Sequence, residues 1–201
     1  MCDGCLHALD TAHTGAVRTL LDGKVKGECV FSYEYEHVKR LILYMKRNPD
    51  SDVFGYCAAF IAGKIRSLGI NQEIFITFVP RSTEGLRENG FDQSEYLVKR
   101  TARILGNAKA VRLLKRAGKS TAQKKLAGLE RNLNISGKFR CVKTPVNPKN
   151  IIIVDDVLTT GSSISECASV LKDRYPEADI YFAVLAEEPK NSRQLIPERK
   201  N

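Results

Sequence analysis

The sequence predicts an α/β fold, a mainly parallel β-sheet flanked by helices. Three observations carry this. Short, continuously apolar runs at Ile74 to Val79, Ile151 to Val154 and Ile180 to Ala186 have the length of strands buried on both faces. Longer stretches with apolar residues at helical spacing lie between them, so strand and helix alternate. Gly69, Pro80, Gly106 and Pro176 fall at the junctions.

In chain order, His37 to Arg47 (HVKRLILYMKR) sets apolar residues at helical spacing and puts Lys and Arg on the other face. Val53 to Leu68 predicts a more buried helix, closed by Gly69. Ile74 to Val79 is a buried strand that ends at Pro80. The loop RSTEGLRENGF leads to Asp92-Gln-Ser-Glu95, an N-cap with an acid three residues on, and the helix it opens runs to Leu105 before Gly106. Ala110 to Leu114 predicts a further strand, and Lys115 to Lys125 (KRAGKSTAQKK) a loop poor in apolar residues. Leu126 to Leu133 reads as a short helix.

Ile151 to Val154 is too short for a helix and forms a core strand. Ser163 to Arg174 then places Ile164, Cys167, Ala168 and Leu171 on one helix face, ended by Tyr175-Pro176. The expected organisation is an N-terminal segment over 1–30, one domain over 31–190 and a polar tail over 191–201.

Of 201 residues, 43% are hydrophobic and 27% charged, enough apolar material for a core that needs no staples. No apolar run reaches the roughly 18 residues of a membrane span. The opening MCDGCLHALD lacks the basic region and apolar stretch of a signal peptide, so a cytoplasmic location is expected. Six cysteines are scattered without a disulfide-scaffold spacing, and only Cys2 and Cys5 are close together.

The net charge of +9 is uneven: residues 99–149 hold fifteen Lys and Arg against one acid, Glu130, a net of +14 that leaves −5 elsewhere. Such a segment suits a polyanionic partner, or is a solvated basic surface.

The most informative stretch is IIIVDDVLTTGSS, Ile151 to Ser163. In a parallel α/β sheet, ligands gather outside the carboxyl ends of the strands, where Asp155 and Asp156 are expected. Adjacent acids raise each other's pKa, so they need a cation or hydroxyl donors. The turn Thr159-Thr160-Gly161-Ser162-Ser163 leads into a helix, and its N–H groups and hydroxyls form a phosphate cradle. Carboxylates for a diol and amides for a phosphate, one turn apart, suit a sugar phosphate. A Ser/Thr-capped helix after an ordinary strand explains either half alone, but not both together. Neither G-x-G-x-x-G nor G-x-x-x-x-G-K-[ST] is present, which disfavours dinucleotide and nucleoside-triphosphate readings.

This stretch resembles the phosphoribosyl-pyrophosphate (PRPP) motif of type I phosphoribosyltransferases. CVFSYEYEHVKRLILYMK, VPRSTEGLRENGFDQSEYL and QKKLAGLERNLNISGKF, in that order, extend the resemblance to the ComF family of competence and DNA uptake. It implies a type I phosphoribosyltransferase fold with a reduced N-terminal hood or zinc-ribbon remnant. It also implies that Asp155 and Asp156 hold the ribose hydroxyls, that Thr159, Thr160, Gly161, Ser162 and Ser163 form the 5′-phosphate loop, and that Val157 and Leu158 belong to the same PRPP-binding stretch. Val79 to Ser82, with Pro80, Arg81 and Ser82, would line the pyrophosphate. Lys115 to Lys125 would be a closing loop, from which Lys119 and Arg116 neutralise the departing charge.

Three departures from the family pattern stand out. Asn89-Gly-Phe-Asp92 replaces the usual Arg-Gly-Phe-Asn, which removes a basic side chain near the pyrophosphate. Thr159 stands where purine-salvage enzymes of the fold carry an acid, which disfavours that role. The family's zinc ribbon is mostly missing. Cys2 and Cys5 are half of a tetrahedral Zn²⁺ site, with His7, His13 and Cys29 as candidates lacking a convincing spacing.

The expected chemistry is transfer with loss of pyrophosphate, assisted by Mg²⁺, to an acceptor the sequence does not name. The alternative is a non-catalytic protein that senses PRPP or binds single-stranded DNA. The partners expected are PRPP or a related sugar phosphate, single-stranded DNA along the basic 99–149 segment, and a second copy of the chain in a homodimer. Phe139 is the lone aromatic in that segment, which gives little support to a stacking platform.

Overall fold

The computed structural model describes residues 7, 9–14, 17–48, 52–81, 92–117 and 137–189. Eight strands are β1 (Val17–Leu20), β2 (Val25–Ser32), β3 (Ile74–Phe78), β4 (Ala108–Ala110), β5 (Leu114–Arg116), β6 (Phe139–Cys141), β7 (Asn150–Leu158) and β8 (Asp179–Glu187). The helices are α1 (Glu36–Arg47), α2 (Val53–Ser67), α3 (Gln93–Leu105) and α4 (Ser162–Arg174).

Six strands form one sheet in the order β1-β2-β8-β7-β3-β4, parallel throughout except for β1, which runs antiparallel to β2 at the edge. β7 shows why the sheet is covered on both faces. Ile152 and Val154 join the core formed with α1, α2 and α3, whereas Ile151 and Ile153 join the core under α4. Period-two alternation with both sets apolar is the signature of a strand buried on both sides. On α1, the buried Val38, Leu41, Ile42 and Met45 repeat at helical spacing and fix the helix against the sheet. Burial of side chains this size stabilises the fold by about 1.5–3 kcal/mol each.

The strand expected over Ala110 to Leu114 is instead two short ones. β4 pairs with β3 at the sheet edge, and β5 pairs with β6 in a separate antiparallel ribbon. The chain leaves the edge at Val111, which still donates to the Ile76 carbonyl, and then buries Leu113 and Leu114 in succession. Lys115 and Arg116, assigned from sequence to the loop, thus belong to β5. The short helix expected over Leu126 to Leu133 lies outside the described residues.

Strand β7 also continues beyond Val154 to Leu158, because β8 is long enough to pair with it as far as Leu158 opposite Glu187. At the amino end, β1 and β2 form a hairpin closed by Leu21, Asp22 and Gly23, all at positive φ. β2 crosses the boundary expected between 30 and 31 and pairs in parallel with β8. Gly27 permits that pairing, since a Cβ there would meet the Phe182 carbonyl oxygen at 2.3 Å and the ring at 2.4 Å. No helix among the described residues is long and apolar enough to cross a membrane.

Candidate functional site

The parallel strands present their carboxyl ends along one edge, and Asp155 and Asp156 stand in the last part of β7 on that edge. Asp92, the N-cap of α3, accepts from the Ser94 N–H at 3.1 Å and from the Arg81 N–H at 3.4 Å. That cap sets Gln93 and Ser94 against the acid pair. Gln93 Nε2 donates to Asp156 Oδ2 at 2.6 Å, and Ser94 Oγ donates to Asp155 Oδ1 at 3.5 Å. Asp155 Oδ1 also accepts from the Asp156 N–H at 2.9 Å. From the last turn of α1, Lys46 Nζ lies 3.3 Å from Asp156 Oδ2.

Each acid therefore has one oxygen held by the protein. Asp155 Oδ2 and Asp156 Oδ1 have no partner among the described residues. Burial first, then the charge of Asp156, pushes the Asp155 carboxyl well above the usual carboxylate range, against the pull of the Asp156 N–H and Lys46. Burial shifts Asp92 upward as well, opposed by N–H groups of Arg81, Glu95 and Ser94.

After β7, Thr159 and Thr160 are exposed and Gly161 turns left-handed at φ 77° into α4. The Thr160 and Ser162 hydroxyls lie 2.9 Å apart, and the Ser162 N–H donates to Thr160 Oγ1 at 3.3 Å. Gly161 gives α4 no side-chain cap, so the first-turn amides beyond Ser162 suit an external acceptor. Val157 is partly buried against the α1–α3 core, and Leu158 is buried under α4.

Pro80 is buried, and its carbonyl accepts from Arg116 Nε at 3.1 Å. The Arg116 guanidinium lies over the Phe139 ring, 5.3 Å from its centroid. Arg116 is thus tied to the stretch expected to line pyrophosphate, rather than to the acid pair. Arg81 Nη1 is buried without a partner among the described residues, a donor fitted to an anion at that stretch. Ser82, Lys119, Cys2 and Cys5 lie outside the described residues.

Among the described residues, no cluster of three or more His, Cys, Asp or Glu is placed to hold a metal ion. Asp155 Oδ2, Asp156 Oδ1 and the buried Gln93 Oε1, none with a partner among the described residues, are hard donors of the kind Mg²⁺ accepts when it arrives on phosphate oxygens. Zinc finds less. His13 packs against Phe31 and Phe60, and burial raises the Cys29 thiol pKa.

Residues 93–199 match the family model described as the phosphoribosyl transferase domain. The chain belongs to that family. The mostly parallel sheet with flanking helices is the type I phosphoribosyltransferase fold. Over 106 residues the chain is 34% identical to the DNA utilization protein YhgH of Salmonella typhimurium, and 31% identical to that of Escherichia coli K12. Each match covers 53% of this chain and 46% of the relative, so the chain spans about half the length of the curated relatives it matches. These relatives agree with the ComF resemblance.

Among solved structures, adenine phosphoribosyltransferase from Saccharomyces cerevisiae is similar with a TM-score of 0.43 and 17% identity, over 92% of this chain and 89% of that one. Helicobacter pylori xanthine-guanine-hypoxanthine phosphoribosyltransferase gives 0.41 and 13%, over 72% and 88%.

Lys46 and Gln93 lie outside the motif and are not among the site residues expected from sequence. Lys46 was one of the basic residues on the polar face of a helix, and Gln93 was the second residue of a capping sequence. Neither lies near Asp156 in the chain, so their meeting depends on tertiary structure.

Proposed function

We propose that this protein binds PRPP with Mg²⁺ and transfers its phosphoribosyl group to an acceptor, as a ComF-like phosphoribosyltransferase linked to DNA uptake. The observation that carries this is the pair of oxygens without a partner among the described residues, Asp155 Oδ2 and Asp156 Oδ1, followed directly by the uncapped amino end of α4. The outward oxygens accept from the 2- and 3-hydroxyls of ribose, and the α4 amides with Thr160 and Ser162 receive the 5′-phosphate.

In this reading the protein acts by position and electrostatics. Asp155 and Asp156 fix the ribose, and Arg81 Nη1 stands ready for a pyrophosphate oxygen. Displacement of pyrophosphate from the anomeric carbon passes through an oxocarbenium-like state, which calls for no covalent nucleophile from the chain. Bound Mg²⁺ supplies positive charge at the pyrophosphate. Lys119 and Arg116 are proposed to neutralise the leaving group.

A second reading, PRPP sensing or single-stranded DNA binding without transfer, draws on the +14 segment over 99–149. Pyrophosphate release, measured with PRPP, Mg²⁺ and a panel of acceptors, separates the two. Acceptor-dependent release supports transfer. Its absence, together with DNA affinity that falls steeply with salt, supports the second reading.

A further inference from the structure

The acid pair needs a cation, and α1 supplies one. Lys46 stands in the last turn of α1, where the helix dipole favours positive charge. Its neighbour Met45 is fully buried and, with Val38, Leu41 and Ile42, holds that turn in place. The ammonium lies 3.3 Å from Asp156 Oδ2, with the two side chains 29% and 13% exposed, so solvent screens the attraction only in part. Gln93, 1% exposed, donates to the same oxygen at 2.6 Å. Because its two amide heteroatoms share one carbon, Gln93 Oε1 also lies beside Asp156, buried and without a partner among the described residues.

We propose that Lys46 and Gln93 make the acid pair competent to take the vicinal diol of a ribose 5-phosphate group without recruiting a divalent ion. This rests on the sugar-phosphate reading of the site and deepens it. Metal-assisted PRPP binding and metal-free binding of a plain ribose 5-phosphate ester are then separable properties. Lys46 neutralises one carboxylate, and Gln93 Nε2 and the Asp156 N–H hold the inward oxygens. Asp155 Oδ2 and Asp156 Oδ1 receive the two hydroxyls. Gln93 Oε1 is an additional acceptor that an arabino configuration, with its inverted 2-hydroxyl, presents to poorly. Lys46 is a positioning residue for Asp156.

The test is calorimetric titration of the full chain with ribose 5-phosphate in EDTA and in Mg²⁺, with PRPP in Mg²⁺ alongside. Wild type is expected to bind ribose 5-phosphate about equally in both buffers. Lys46→Met, and Lys46→Gln should the first variant fail to fold, is expected to lose roughly tenfold or more in EDTA and to recover in Mg²⁺. Arabinose 5-phosphate is expected to bind wild type at least about tenfold more weakly than ribose 5-phosphate.

If wild type binds PRPP with Mg²⁺ but ribose 5-phosphate only with Mg²⁺, this inference falls and the sugar-phosphate reading stands. Undiminished binding by the Lys46 variants in EDTA overturns the role of Lys46. Failure of ribose 5-phosphate in both buffers together with failure of PRPP in Mg²⁺ overturns the inference and the site reading together, as does equal affinity for arabinose 5-phosphate.

Discussion

Lys46 Nζ and Asp156 Oδ2 meet at 3.3 Å and link the last turn of α1 to the carboxyl end of β7. The contact crosses 110 positions of sequence, and both partners belong to elements anchored in the core, α1 through Val38, Leu41, Ile42 and Met45 and β7 through Ile151 to Val154. It makes an otherwise self-repelling acid pair tolerable at the end of a buried strand.

The raised pKa of Asp155 makes stability depend on pH. Between the ordinary carboxylate value of about 4 and its higher folded value, the folded chain holds more protons than the unfolded chain. This contribution is therefore present in full at the acid end of that window and is lost as pH rises. Asp155→Asn, which keeps an acceptor for the Asp156 N–H, is expected to raise Tm at neutral pH by about 2–4 °C per kcal/mol relieved. The advantage over wild type should shrink as pH falls toward the unfolded value. Differential scanning calorimetry from neutral to mildly acidic pH checks it; an advantage that grows on acidification contradicts it.

Gly161→Ala is expected to destabilise the chain by about 1–2 kcal/mol, the cost of a side chain in the left-handed region that Gly161 occupies at φ 77°. The new Cβ would also meet Leu20 Cδ2 at 2.6 Å, but that is the end of a flexible side chain and moves cheaply. Urea denaturation of Gly161→Ala in wild-type and Leu20→Ala backgrounds separates the two terms. The penalty should persist when Leu20 is shortened.

Arg18 holds Glu187 through two hydrogen bonds, Nε to Oε2 at 2.6 Å and Nη2 to Oε1 at 2.8 Å, tying β1 to the end of β8. Glu187 is 6% exposed, so Arg18→Ala leaves a largely buried carboxylate without its main donor. A loss of about 1–3 kcal/mol is expected, with a smaller loss when Glu187→Gln is added. A double-mutant cycle by chemical denaturation reads this coupling, and additive losses would argue against it.

Glu166, in the second turn of α4, accepts from the Lys138 and Phe139 N–H groups and fastens β6 to that helix. Glu166→Ala strands two backbone donors and should cost about 1–3 kcal/mol, while Glu166→Gln should restore part of it. Denaturation midpoints of the two variants decide, with equal loss in both contradicting the proposed role of the acceptor oxygen.

The sheet interior was legible because β3, β7 and β8 are apolar on both faces, and α3 because Asp92 and Gly106 bracket it with capping chemistry. The β1–β2 hairpin is not among the elements expected from sequence although Asp22-Gly23 is a strong turn signal, because the four residues of β1 include no fully buried position to mark a core strand. β4 and β5 do not separate in the sequence, because a three-residue strand carries too little periodicity to stand apart. At the site, the contiguous motif from Asp155 to Ser163 was visible as a unit. Lys46 and Gln93 were not, because a contact between distant segments leaves no local pattern.

The central claim is that Asp155 and Asp156 grip the ribose of a 5′-phosphorylated ligand. Its most direct measurement is calorimetric titration of PRPP with Mg²⁺ into wild type and Asp156→Ala, with folding of the variant verified by its thermal transition. Saturable binding by wild type and its loss in the variant are expected. Unchanged affinity in folded Asp156→Ala would contradict it.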